Sequence, residues 1–231
     1  MSSPKKDFFQ KRIRNLKCLG YILQLAPFVR AVILTGSMTT GSATKASDID
    51  LLIISQPGRL YTARFFVAIL ALLTGKKRGV FDKNPAGKFC LNYYLSSDNL
   101  DILPHTQRCA NFHRYIVNIW DCQGIYERIL RQNFWLRRHK VEIKNQRQVK
   151  FLQGTFPIKK SSVLLAIQKI KELFFSRRFG DFLERKFFIW QKKKITNSEI
   201  YKNNKSLIIV SKNELRLHPK KSWHFWQDLL Q

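Results

Sequence analysis

The segment from Ala31 to Ser55, AVILTGSMTTGSATKASDIDLLIIS, restricts this chain more than any other. It reads as an apolar strand over residues 31–35, a Gly36-Ser37 turn, a polar stretch of Gly, Ser and Thr, and a second strand bearing Asp48 and Asp50. Carboxylates two residues apart on a strand share a face and lie roughly 6.5–7 Å apart, because side chains alternate with period two. Ile49, Leu51 and Ile53 then take the opposite face, where they can be buried. Such an acidic pair suits divalent ions about 3.5–4 Å apart. Gly36 lets the backbone approach a ligand closely, and Ser37 adds a hydroxyl beside the amides of the next segment, a cradle for phosphate. A plainer reading leaves both aspartates at a polar strand end. Two acids in an otherwise apolar strand are costly unless something pairs with them, which favours the ligand-binding reading.

The order Gly36-Ser37, ten residues, Asp48-Ile49-Asp50 resembles the signature of the nucleotidyltransferase superfamily that includes DNA polymerase beta, and especially its minimal members. The helical second half and the FCLN strand also resemble bacterial nucleotidyltransferase domain-containing proteins. The resemblance is clear over about residues 31–95. It implies that Gly36 and Ser37 bind a nucleoside triphosphate and that Asp48 and Asp50 bind Mg2+ or Mn2+. It also implies an α+β fold, a mixed β-sheet flanked by helices and followed by a largely helical C-terminal region.

In the superfamily the next strand supplies a third carboxylate, which binds metal and helps deprotonate the attacking hydroxyl. The matching strand is residues 89–95, FCLNYYL, and Asn92 takes that place, on a face shared by alternation with Cys90 and Tyr94. An amide oxygen binds magnesium weakly and cannot act as a general base. Asp82, Asp98 and Asp101 either fold back to complete the site or remain exposed loop acids. Two functions follow. One is a metal-dependent nucleotidyltransferase, an enzyme moving a nucleoside monophosphate to an unidentified acceptor. The other is a non-catalytic nucleotide- or RNA-binding module, or an antitoxin-like partner protein, on the same fold.

Charge bears on partners. Among 231 residues, 42 Lys and Arg against 15 Asp and Glu give a net charge of +27. That suits RNA, another polyanion or an anionic membrane, although a biased composition gives the same number. Cys18, Cys90, Cys109 and Cys122 show no paired spacing, and the five histidines make no zinc pattern with them. The N-terminal residues lack the apolar core of a signal peptide, so a cytoplasmic protein with reduced thiols is expected. The longest apolar run, residues 65–74, is too short to cross a bilayer.

Elsewhere, apolar spacing predicts helices over residues 8–25 and 60–73, with a basic loop over 75–88 whose lysines and Arg78 can reach a triphosphate or simply face solvent. Residues 1–103 are expected to form the nucleotidyltransferase-like domain and 104–231 a mainly helical region. Helices are predicted there over 112–120, 124–139, 161–175 and 179–195, a linker over 140–156, a short strand over 207–210, and a basic aromatic tail. The aromatics Phe182, Phe187, Phe188 and Trp190, at helical spacing, are expected to pack inward.

Overall fold

The computed structural model describes residues 4–79, 82, 84–203 and 208–217. Helix α1 (Pro4–Leu23) buries Phe9, Ile13, Leu16, Leu19 and Leu23, three- and four-residue steps that make one apolar stripe. Strand β1 (Val29–Thr35) leads through Gly36 into the single turn α2 (Ser37–Thr40), and β2 (Ile49–Ser55) follows. Helix α3 (Leu60–Leu73) carries the chain across to β3 (Phe89–Ser96). Then come α4 (Gln107–His113), β4 (Val117–Asp121), α5 (Ile125–Gln132) and a 3-10 turn, Phe134–Arg138. The remainder is α6 (Gln146–Thr155), α7 (Ser162–Phe174), α8 (Arg177–Thr196), α9 (Glu199–Asn203), β5 (Ile209–Val210) and β6 (Glu214–Arg216).

The strands form one mixed sheet in the order β4-β1-β2-β3-β6-β5. Only β2 and β3 run parallel, as the crossover through α3 requires; the other pairs are antiparallel. Both faces are covered. Val32, Leu34, Ile49, Leu51 and Ile53 join α1 and α3 in the larger core, while Ala31, Ile33, Leu52 and Ile54 pack with Ile125 and Ile129 of α5 in the smaller. The fold is thus the expected mixed sheet flanked by helices with a helix-rich C-terminal part, and β4, β5 and β6 are drawn into the same sheet from that later part.

Three expectations need correcting. Residues 117–121 form a strand, not the end of a helix over 112–120, because β1 needs a hydrogen-bonding partner on the edge away from β2. Its Val117, Ile119 and Trp120 fill the larger core. The stretch 140–156 is not a linker throughout: Asn145 accepts a bond from the Gln148 amide at 3.1 Å, starting α6, whose Val149 and Leu152 are buried one turn apart. Phe182 and Trp190 lie more than half exposed, whereas Phe187 stacks on Phe65 and Phe188 meets Tyr61 edge-on. The strand expected over 207–210 is β5 from Ile209; Leu207 and the aromatic tail of Trp223, Phe225 and Trp226 lie outside the described residues.

Candidate active site

The sheet brings the motif together at one end of β1, β2 and β3. Asp50 sits beside Thr35 of β1 on one side and Cys90 of β3 on the other. Asp48, just before β2, joins them, so that a carboxylate oxygen from each aspartate and the Cys90 sulfur all lie within 4.8 Å of one another. Gly36 has φ +74°, a conformation that costs a side-chain-bearing residue but not glycine. A Cβ there would collide with the Asp50 carboxylate and press on the Phe112 ring. The turn is pinned by the Gly36 amide, which donates to the Phe112 carbonyl at 3.0 Å. Ser37 opens α2 directly after it.

The third strand departs from simple alternation. Between Asp50–Cys90 and Leu52–Tyr93 the pairing slips, setting Leu91 and Asn92 of β3 against Leu51 alone. Beyond this bulge Tyr93 faces the smaller core and Tyr94 the larger, so Tyr94 does not share the face of Cys90. Cys90 is the side chain set directly beside Asp50, and Asn92 lines the same cleft. Asp82 pairs instead with Lys88, Asp101 with His105, and Asp98 is exposed, so none of these acids completes the cluster.

The cleft holds about 110 Å³ and is lined by Asp48, Asp50, Arg78, Cys90, Asn92 and His113, among others. That is below the roughly 300–1,000 Å³ of sites enclosing a whole organic ligand, so it fits an ion and a phosphate rather than a complete nucleotide. Arg78, from the basic loop, forms an ion pair with Asp48 and approaches Cys90 Sγ at 3.9 Å. Burial, and then the neighbouring Asp48 charge, push the Asp50 carboxyl up to about 7, with Cys90 and Arg78 offsetting part of this. Burial also drives the Cys90 thiol well above its ordinary value, with both aspartates adding to the effect. Buried His113 falls to about 4 and its Nδ1 is held by the Cys109 carbonyl at 3.0 Å, so it is neutral.

The donor set fits a divalent cation. Two carboxylates share a cavity in which one of them is hard to ionise, and a positive ion between them removes that cost. Sequence reasoning weighed Arg78 as a loop cation within reach of a triphosphate and put Cys90 on the Asn92 face, but assigned neither to the acidic pair. The β2–β3 register places Cys90 there, and the bond from the Arg78 amide to the Phe89 carbonyl ties the loop beside it, which linear spacing does not encode.

An acidic pair at the start of β2, with a glycine turn against Asp50, is the arrangement of the nucleotidyltransferase class that the motif resembles. The nucleotidyltransferase domain family matches residues 16–214, and the chain belongs to that family. Neither a curated protein nor a solved structure matches it. Among the described residues no helix is long and apolar enough to cross a membrane.

Proposed function

We propose that the protein is a metal-dependent nucleotidyltransferase that moves a nucleoside monophosphate from a nucleoside triphosphate to an acceptor. The observation that carries this reading is the convergence of Asp48 and Asp50 against the side-chain-free Gly36. Asp48 and Asp50 would hold Mg2+ or Mn2+, which when bound neutralises charge on phosphate oxygens during in-line displacement. Gly36 leaves room for the Asp50 carboxylate against the turn, and Ser37, directly after it, would offer a hydroxyl to a phosphate. Arg78, already between Asp48 and Cys90, brings a positive charge to the mouth of the cleft. Neither the Asn92 amide nor the protonated Cys90 thiol takes a proton from the acceptor, so the chain contributes positioning and electrostatics rather than a strong base. The small cleft leaves the nucleoside and the acceptor outside it.

A second reading, a nucleotide-binding module that does not catalyse transfer, is favoured by the thiol and amide where a third carboxylate is expected. Both readings require the acidic pair. Calorimetric titration of Mn2+ with a non-hydrolysable nucleoside triphosphate tests that requirement. Binding should be present in the native chain and absent from Asp48→Ala/Asp50→Ala; equal binding by the two would refute both readings.

A further inference from the structure

Helices α7 and α8 are anchored inward through polar side chains, on α8 together with aromatic packing. On α7 the side chains turned inward are polar: Gln168 donates to the Ala26 and Val29 carbonyls at 2.6 and 3.1 Å. Glu172 accepts from the Phe28 amide at 2.6 Å and grips Arg30 through both carboxylate oxygens at 2.7 and 2.9 Å. On α8, Glu184 accepts from the Tyr61 and Thr62 amides at the start of α3, at 2.8 and 2.7 Å, and Gln191 donates to the Tyr61 carbonyl at 3.0 Å. Phe187, Phe188 and Ile195 of α8 add apolar packing on the larger core, but a second set of apolar residues on both helices is left outside. Ile170, Leu173 and Phe174 of α7 and Phe179, Phe182 and Ile189 of α8 are all more than half exposed, Leu173 reaching 75%.

The charge on these helices is equally one-sided. Glu172 and Glu184 are engaged inward, and Asp181 pairs with Arg59. Exposed cations flanking the apolar residues include Lys169, Arg178, Arg185, Lys186 and Lys193, and the exposed acid among them, Asp181, is the one paired with Arg59. Lys186 lies over the Phe182 ring at 5.4 Å, a cation and an apolar group presented to solvent together.

We propose that the α7–α8 face docks on an anionic lipid surface. Apolar side chains between lysines and arginines bury in the headgroup and acyl boundary while the cations meet lipid phosphates. A second copy of this face would oppose cation to cation. Single-stranded RNA would match the charge and the phenylalanines but leave Ile170, Leu173 and Ile189 without an apolar environment. The attachment is peripheral and uses two helices consecutive in the chain, separated by only Phe175 and Ser176.

The test is flotation of the full chain with vesicles of phosphatidylglycerol and phosphatidylcholine, beside vesicles of phosphatidylcholine alone. Binding is expected only to the anionic vesicles and should weaken as salt rises. Leu173→Ser/Phe174→Ser/Phe182→Ser should weaken it by about 10-fold or more, as should Lys186→Glu/Lys193→Glu. All of these side chains are exposed, and circular dichroism and melting curves establish that the variants fold. The proposal is overturned by any of three results from folded protein. These are no flotation with anionic vesicles at low salt, flotation unchanged in both variants, or loss in the same variants of self-association or RNA-oligonucleotide binding without vesicle binding in the native chain.

Discussion

The strand-end cleft and the α7–α8 face use acidic side chains in opposite ways. On the helices, Glu172 and Glu184 are satisfied by protein donors: backbone amides, a guanidinium and a hydroxyl. In the cleft, Asp48 and Asp50 are placed close together with Arg78 on one of them, and burial still makes Asp50 hard to ionise. The difference separates acids that hold the fold from an acidic pair whose burial is left uncompensated. An acid fully supplied with donors holds the fold, whereas an adjacent pair short of positive charge is the kind that a cation would relieve.

The comparison breaks most visibly at the cleft. Replacing Asp48 or Asp50 with Asn should lower nucleotidyl transfer by about 100-fold or more; Asp50→Asn should leave thermal stability unchanged or higher, because like-charge repulsion is relieved, whereas Asp48→Asn also breaks the ion pair with Arg78 and should not share that gain. Glu172 should behave in the opposite manner. Glu172→Ala leaves Arg30 without its half-buried partner and should cost about 3–5 kcal/mol in urea unfolding, with no specific effect on metal binding. Glu184→Ala removes an acceptor from the α3 N-terminal amides, a capping role, and should cost about 1–2 kcal/mol by the same measurement.

The smallest and sharpest effect is a pH dependence. The folded value of Asp50, about 7, lies above that of a free carboxyl, so the metal-free fold favours its protonated form. The resulting stability is present at low pH and lost as pH rises through about 7. Melting temperatures of the metal-free chain should therefore fall relative to Asp50→Asn as pH rises from about 4 to about 7 and level off above it, and divalent-cation binding should strengthen over the same interval. His113, neutral in the fold, contributes the opposite slope at lower pH in both proteins and cancels in the difference.

The sequence made the heart of the site legible because its chemistry is local. Gly36, Ser37, Asp48 and Asp50 fall within one strand-turn-strand segment, and the structure brings Gly36, Asp48 and Asp50 into contact range. The apolar periodicities of α1 and α3 likewise marked buried helices, since one face of each is uniformly apolar. What escaped depends on long-range pairing. Residues 117–121 carry a pattern compatible with helix or strand, and the open edge of β1 decides between them. The register of β3 on β2 sets Cys90 beside Asp50, and the bulge after it turns Tyr94 to the opposite face from the one alternation assigns. The outward apolar face of α7 escaped for a related reason: periodicity gives a stripe, but which stripe is buried was settled by Gln168 and Glu172 finding partners more than a hundred residues away in the chain.

The central claim is that Asp48 and Asp50 support transfer despite a thiol and an amide in place of a third acid. Its most direct test offers each α-labelled nucleoside triphosphate with Mg2+ or Mn2+ to the full chain in the presence of cellular RNA, protein and small molecules. The account predicts label in one acceptor class from the native chain and none from Asp48→Ala/Asp50→Ala. The absence of label with every nucleotide, from protein that binds metal and nucleotide, would contradict catalysis and leave the binding module. Label appearing equally with both proteins would remove the aspartates from the chemistry altogether.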